Sequence, residues 1–453
     1  MQSGLIIMIN SKICKLKEYK NLASISVMVI ITILTQFLSL SRTSLVASIF
    51  GTSIEMDAYN FSLSIITFLF GFFSAGITTI IIPYYIKDTT TKTVDTFITF
   101  IFLLIALISL ILVCGRVSII RIISNRTSNF VEISSNALLI LLIGQLFSLF
   151  SGVTVSYFQC QNKYNIPKIS AFVIQILIII FLFKLRKVSI YQYAAIVSVC
   201  LVIEFVLDTS IAYFYGWRFK PNFNFGSKRF LAVFQMFLPT VFSTGIYQLS
   251  LFIDSSIASR LGVGKITILN YSNQIVSIIN TAIIGNLLIY IYPRIVKQIK
   301  MNGNQNIFWK NVCFFHLIVC LLACGFVSVG YEGISLLFQH GNFGETATRD
   351  VFWGSLLYIV GQQSNVIRDL IYRYFYAKGN TKDPAKNGVV ISIVNILISL
   401  LLVRYIGFYG IIIGTVIASF VSLIIILYKF KIKIGFTIKI QEVMFTFLRN
   451  IFI

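Results

Sequence analysis

Twelve stretches of the chain stay apolar for about the twenty residues that an α-helix needs to cross the hydrocarbon of a bilayer. They fall near 21–41, 58–86, 94–115, 133–158, 168–183, 190–215, 230–257, 266–293, 307–338, 350–376, 386–404 and 408–428. Lipid offers no hydrogen bonds, so each stretch must satisfy its own backbone, and a helix does so. Composition agrees: 57% of the 453 residues are hydrophobic and 11% are charged, against about a quarter charged in a soluble chain. The mean hydropathy is +0.89. The expected fold is an all-α polytopic membrane protein of about twelve transmembrane helices. The stretch 168–183 is short for a span, and 307–338 is long enough to be tilted or broken.

Lys and Arg are retained on the cytoplasmic side of a membrane. Here they crowd the amino-terminal arm (Lys12, Lys15, Lys17, Lys20), the alternate loops (Lys87, Lys92, Arg218, Lys220, Lys378, Lys382) and the tail (Lys429, Lys431, Lys433). This predicts a multi-pass protein of the cytoplasmic (inner) membrane with both termini in the cytoplasm. The first hydrophobic stretch lacks a small-residue cleavage site and reads as an uncleaved first helix. The net charge of +22 is then accounted for by topology and by attraction to anionic membrane lipids, with no nucleic acid as partner. The seven cysteines are scattered, and the two histidines, His316 and His340, are far apart. No disulfide framework, metal site or cofactor is expected from them.

The chain also repeats itself. Gln36 opens QFLSLSRTSLVASIFG and Gln248 opens QLSLFIDSSIASRLG, 212 positions later. The same shift carries Tyr59 to Tyr271, a shift of 210 carries Pro83 and Lys87 to Pro293 and Lys297, and one of 217 carries Tyr157-Phe158 to Tyr374-Phe375 and Pro167 to Pro384. Matches in the same order at nearly one offset point to two pseudo-symmetric six-helix lobes around a central cavity: 1–217, then 218–430, followed by a basic tail, 431–453, suited to the membrane interface. Transporters that rock two bundles about a midplane site are built this way.

Ionisable groups inside a bilayer cost at least about 2.5–3.5 kcal/mol each on insertion scales and mark a watery interior or a partner. Arg42 lies halfway along the first span, and Asp57 follows Glu55 at the start of the second. Asp254 lies in the seventh, two turns beyond Gln248. The eighth carries Asn273, Gln274, Asn280 and Asn286. The tenth is the most polar, with Asn365, Arg368 and Asp369 on one helical face. One reading makes Arg42, Asp57, Gln248, Asp254, Asn273, Gln274, Arg368 and Asp369 the lining of a hydrated cavity that binds a polar, anionic group. The other makes them ion pairs that hold helices together, for example Arg42 with Asp57 and Arg368 with Asp254. Arg260, Arg294 and Arg373 lie near span ends, where long side chains snorkel to the surface. Glu204 and Asp208, one turn apart, suit a proton relay, a salt bridge or a lumen-facing position. No Walker loop, GxSxG or HExxH occurs, so neither nucleotide hydrolysis nor an enzymatic centre is indicated.

Several segments resemble the MurJ/MviN-type lipid II flippases of the multidrug/oligosaccharidyl-lipid/polysaccharide (MOP) exporter superfamily. RTSLVASIFGTSIEMDAY (42–59) is similar to that family's first helix–loop–helix, and LFIDSSIASRLGVGKITILNY (251–271) to its seventh helix and continuation. FYAKGNTKDPAK (375–386) and LLFQHGNF (336–343) match two further family segments. The resemblance implies a flippase for an undecaprenyl-pyrophosphate-linked oligosaccharide, either a lipid II-like peptidoglycan precursor or a polysaccharide repeat unit. It implies that Arg42 and Asp57 occupy essential family positions. It also implies a coupling ion, Na⁺, H⁺ or Cl⁻, in place of a nucleotide. Phe70 and Gln274 stand where the family carries cavity arginines. A cation-coupled multidrug exporter of the same superfamily is the alternative, and the interior cations Arg42 and Arg368 speak against it. A membrane-bound polymerase or acyltransferase would need large outer loops or an interfacial His/Asp pair.

Overall fold

The computed structural model describes residues 2–87, 92–161, 163–185, 188–285, 287–288, 305–378 and 380–434, with the side chains of 2–25, 75–76, 78–80, 83–87, 239–240, 242–244, 305–309, 377 and 432–434 left outside the description. Among these residues there is no strand. The helices are α1 (Gln2–Phe50), α2 (Ile54–Lys87), α3 (Lys92–Ser124), α4 (Ser128–Cys160), α5 (Asn165–Lys184) and α6 (Ile190–Phe214). A second set follows: α7 (Lys228–Arg260), α8 (Lys265–Ile279), α9 (Gln305–Phe338), α10 (Glu345–Ala377), α11 (Lys382–Ile406) and α12 (Tyr409–Ile434). The last turn of α8 runs on as a π-helix over Asn280–Gly285. Eleven of the expected spans fall on one helix each, the twelfth, 266–293, is helical as far as it is described, and α9 is one unbroken helix. The side chains of the basic arm, Asn286, Pro293, Arg294, Lys297 and the tail from 435 onward lie outside the described residues.

Local chemistry sets several helix ends. Ser189 and Gln192 form a reciprocal capping box at the start of α6, and Ser227 accepts the Phe230 amide at the start of α7, each satisfying donors a helix start leaves open. Among the described residues nine helices are long and apolar enough to cross a membrane. Of the remaining helices α10 is the most polar, carrying Gln362, Gln363, Asn365, Arg368, Asp369 and Arg373.

The packing of the first six helices recurs in the second six. In the first lobe α2 packs on α4, α4 on α6, α1 on α5, α5 on α6 and α3 on α4. In the second, α8 packs on α10, α10 on α12, α7 on α11, α11 on α12 and α9 on α10. Adding six to each label turns one list into the other. The close approaches repeat as well. Gly144 on α4 lets Ser198 of α6 come in, and Gly361 on α10 does the same for Val416 of α12. Gly144 and Gly361 are 217 positions apart, the shift already seen for Tyr157 and Tyr374. Small residues at such crossings allow helix backbones to approach in lipid, where packing rather than water exclusion drives association.

The seam between the lobes is asymmetric. On one side α2 packs against α7 along its length, with Phe68 stacked on Phe252 at 4.9 Å and Phe73 and Phe97 both against Phe237. The linker 215–227 ties this side to α3, where the Asn222 amide donates to Thr99 Oγ1 at 3.1 Å. On the other side, α1 meets the α8 rod mainly at its π-helical turn.

A methyl group on Gly144 would lie 2.5 Å from the Ser198 Cα, and backbone cannot yield there. Gly144→Val is expected to lower stability by about 1–3 kcal/mol, read as a lower unfolding temperature of purified protein by size-exclusion chromatography after heating. Gly152→Ala, whose Cβ meets nothing nearer than 3.9 Å, should leave that temperature unchanged.

Candidate functional site

At the end where α1 turns into α2, one carboxylate fastens the two lobes. Asp57, in the first turn of α2, is fully buried. It accepts the backbone amides of Gly264 at 2.6 Å and Thr267 at 3.0 Å, and the Thr267 hydroxyl at 2.8 Å. These donors form the open amino end of α8, whose dipole favours a negative charge. Gly264 holds φ +85° and its missing Cβ makes room for Thr52, so a side chain there would disturb the cradle. Arg126, in the short α3–α4 turn, stands 3.7 Å from the same carboxylate and donates to the carbonyls of Ser259 and Gly262 at the end of α7.

Further bonds close the same end. Arg260 Nη2 donates to the Ile123 carbonyl at 3.0 Å, so it bridges the lobes instead of snorkelling. Asn342, in the α9–α10 loop, bonds the Ser48 and Ile49 carbonyls of α1 at 2.9 and 2.6 Å, and Ser44 donates to Leu337. Within the second lobe, Lys265 at the start of α8 pairs with Asp350 of α10 at 2.7 Å. We call this end the latch.

Away from the latch lies a polar cavity with two arms of about 300 and 250 Å³ that share Asp254, Asn273 and Tyr358. The larger arm carries Arg368 and Asp369, and the smaller carries Gln248. Five of the eight expected residues therefore meet here. The other three lie elsewhere. Asp57 belongs to the latch. Gln274 turns toward α1 and donates to Thr43 Oγ1 at 2.7 Å. Arg42 is partly buried in the first lobe, close enough to Tyr59, Tyr271 and Cys200 to act on them electrostatically. Its Nε and the Tyr271 hydroxyl are buried without hydrogen-bond partners.

The ion pairs differ from those the spacing suggested. Asp57 pairs with Arg126 and not Arg42, and Arg368 pairs with its neighbour Asp369 at 3.1 Å and not with Asp254. Sequence reasoning passed over Arg126 because it sits in a short polar turn, where a cation is ordinarily solvated. Neither Glu204 nor Asp208 makes a salt bridge among the described residues, and Asp208 is buried.

Asp254 has no cationic partner among the described residues. Its Oδ2 accepts Asn395 Nδ2 at 3.0 Å, while its Oδ1 is buried and unpartnered. Asn395 Oδ1 in turn accepts Ser399 Oγ at 3.0 Å and Thr415 Oγ1 at 3.1 Å, and both hydroxyls also reach the Ile411 carbonyl. A carboxylate buried in this way costs several kcal/mol unless something neutralises it. The sequence signal available was Asn395 and Ser399, one turn apart within an otherwise apolar run.

The chain was compared with known proteins. A family model described as "Lipid II flippase MurJ" matches residues 46–453. The "Probable lipid II flippase MurJ" of Buchnera aphidicola is 26% identical over 436 residues, covering 91% of this chain and 84% of that one. The protein of the same description from Borreliella burgdorferi is 24% identical over 451 residues, covering 95% and 87%. Among solved structures, a lipid II flippase MurJ in an inward closed conformation superposes with a TM-score of 0.82 at 20% identity, covering 94% of this chain and 90% of that one. An inward-facing MATE-family multidrug transporter of the MOP superfamily superposes with 0.72 at 13% identity, covering 91% and 98%. These superpositions establish the shared fold.

Removing the Asp57 side chain removes three hydrogen bonds to a charged group, each worth roughly 1.5–3 kcal/mol. Asp57→Ala is therefore expected to loosen the latch. In a cysteine-free background carrying Asn270→Cys, labelling by a membrane-impermeant maleimide added on the latch side should accelerate about tenfold or more. An unchanged rate would show that the latch does not depend on this carboxylate.

Proposed function

The chain belongs to the lipid II flippase MurJ family, and from that premise we propose that it carries a polyprenyl-linked glycan precursor across the bacterial cytoplasmic membrane by alternating access. The headgroup is a peptidoglycan precursor of the lipid II type or a polysaccharide repeat unit on the same pyrophosphate anchor. The observation that carries this reading is a polar cavity whose smaller arm takes residues from both lobes, lying beside an end where the lobes are joined through Asp57 and the start of α8. We take the lobes as 1–217 and 218–430. The excess of Lys and Arg in the opposite loops supports an outer position for the latch, and on this reading the resting protein waits for cargo from the cytoplasm.

Each part of the lipid then has a place. Arg42, with an unpartnered Nε and hydroxyls about it, suits the pyrophosphate, whose oxygens take charge-assisted hydrogen bonds. The sparsely packed α1–α8 side gives the polyprenyl tail an exit into lipid. No nucleotide motif is present, so the driving force is the membrane potential or an ion gradient. Of Na⁺, H⁺ and Cl⁻, the Asp254 cluster favours a cation: it gathers a carboxylate, an amide oxygen and two hydroxyls, and hard cations prefer such oxygen ligands. A multidrug exporter shares the fold, as the MATE structures show, but the family match separates the two readings.

The reading is tested with full-length protein in proteoliposomes containing a fluorescent undecaprenyl-pyrophosphate sugar. Arg42→Ala is expected to abolish translocation while the protein still inserts, and normal translocation would contradict the role given to Arg42. Asp254→Ala should remove any acceleration by an inward Na⁺ or proton gradient. A gradient response equal to that of the unaltered protein would move the coupling site elsewhere.

A further inference from the structure

The larger arm of the cavity has a particular chemistry. Its lining carries side-chain amides from Asn273, Asn280, Gln362 and Asn365, and hydroxyls from Ser277 and Ser392, while Arg368 is the one cation among its described lining residues. That guanidinium is paired: Nε and Nη2 both donate to Asp369 Oδ1, at 3.2 and 3.1 Å, so a carboxylate already offsets its charge. The remaining charge, Asp254, is negative and bonded to Asn395. Gln362 Oε1 is buried without a partner. Rings of Tyr247 and Tyr358 complete the wall.

A carboxylate or phosphate only accepts hydrogen bonds, whereas a sugar hydroxyl both donates and accepts, as an amide does. An anionic group entering this arm would find, among the described lining residues, only a cation already paired with Asp369, and would face Asp254 and Asp369. A neutral sugar would find amides that match its hydroxyls in both senses, and tyrosine rings against which the apolar face of a pyranose can lie. The volume of about 300 Å³ sits at the small end of the roughly 300–1,000 Å³ typical of small-molecule sites.

We propose that this arm, in the second lobe, recognises the uncharged sugar rings of the transported headgroup and discriminates against carboxylate-bearing ones. The inference rests on the flippase reading and adds to it a division of labour. The first lobe holds the pyrophosphate through Arg42, and the second reads the glycan. Asp369 is the specificity-determining residue, because by pairing with Arg368 it neutralises the one cation among the described lining residues that an acidic sugar could use.

The test uses full-length protein in lipid nanodiscs and three synthetic probes on one undecaprenyl-pyrophosphate anchor: bare, carrying N-acetylglucosamine, and carrying glucuronic acid. Affinities are measured by native mass spectrometry and expressed relative to the bare lipid in the same preparation, so that loss of folded protein cancels. The N-acetylglucosamine probe is expected to bind about tenfold tighter than the bare lipid, and the glucuronic acid probe no tighter than it. Asp369→Asn should raise the affinity ratio of glucuronic acid to N-acetylglucosamine about tenfold, while Asn365→Leu should erase the gain from the neutral sugar. Equal binding of the two sugar probes by the unaltered protein would overturn the proposal, as would an Asp369→Asn ratio that does not move. Binding of the bare lipid that is lost on Arg42→Ala belongs to the flippase reading alone. If none of the three lipids binds, both readings fall.

Discussion

The contact between Asp57 and the first turn of α8 governs how the rest of the molecule is arranged. A carboxylate buried at the meeting of two helical lobes has to be saturated with donors, and the free amides of a helix start can supply them without a counterion. Gly264 and Thr267 provide those donors, and Arg126 adds a cation that in turn binds the last carbonyls of α7. Three helices of one lobe and two of the other are thereby joined through one side chain. All of these bonds are lost together when the lobes part at that end, which gives the closed arrangement its definition.

That same closure gives meaning to the asymmetry inside. The two lobes share a packing plan, yet their interiors carry different chemistry. In the first, Arg42 stands among tyrosines without a carboxylate partner in the described bonds. In the second, Asp254 stands among amides and hydroxyls without an ion pair among the described residues. A repeat that kept its helix packing while exchanging its buried charges can bind an anionic cargo on one side and a cation on the other. Coupling between the two follows if both ligands favour one arrangement of the lobes, since a ligand shifts an equilibrium only through its differential affinity.

Much of the architecture was legible in the sequence, because a bilayer permits so few solutions. Every apolar stretch is helical where it is described, and the 210–217 shift of the repeat is visible again as Gly144 and Gly361 at matching crossings. The polar helices were legible for the same reason: Gln248, Asp254, Asn273, Arg368 and Asp369 would be too costly to leave against lipid, and all five line the cavity. What could not be read was pairing. Spacing along one helix cannot say which helix lies opposite, so an Arg42–Asp57 pair is one of the readings it allows, and the turn residue Arg126 takes that place. Gln274 sits in the same turn as Asn273 yet points toward α1, because a rotation of about 100° per residue separates neighbours on a helix. Asn395 drew no notice, since one amide in an apolar run has meaning only once Asp254 is seen beside it.

The central claim is that the two lobes separate at the latch when cargo is carried through. Spin labels placed at Thr127 in the first lobe and Val263 in the second, both exposed near the latch, report that separation directly by double electron–electron resonance in nanodiscs. The account predicts one short distance in the resting protein and a second, longer population when an undecaprenyl-pyrophosphate sugar and a Na⁺ or proton gradient are supplied in proteoliposomes. A single short distance under every condition, in protein that still translocates the lipid, would contradict it.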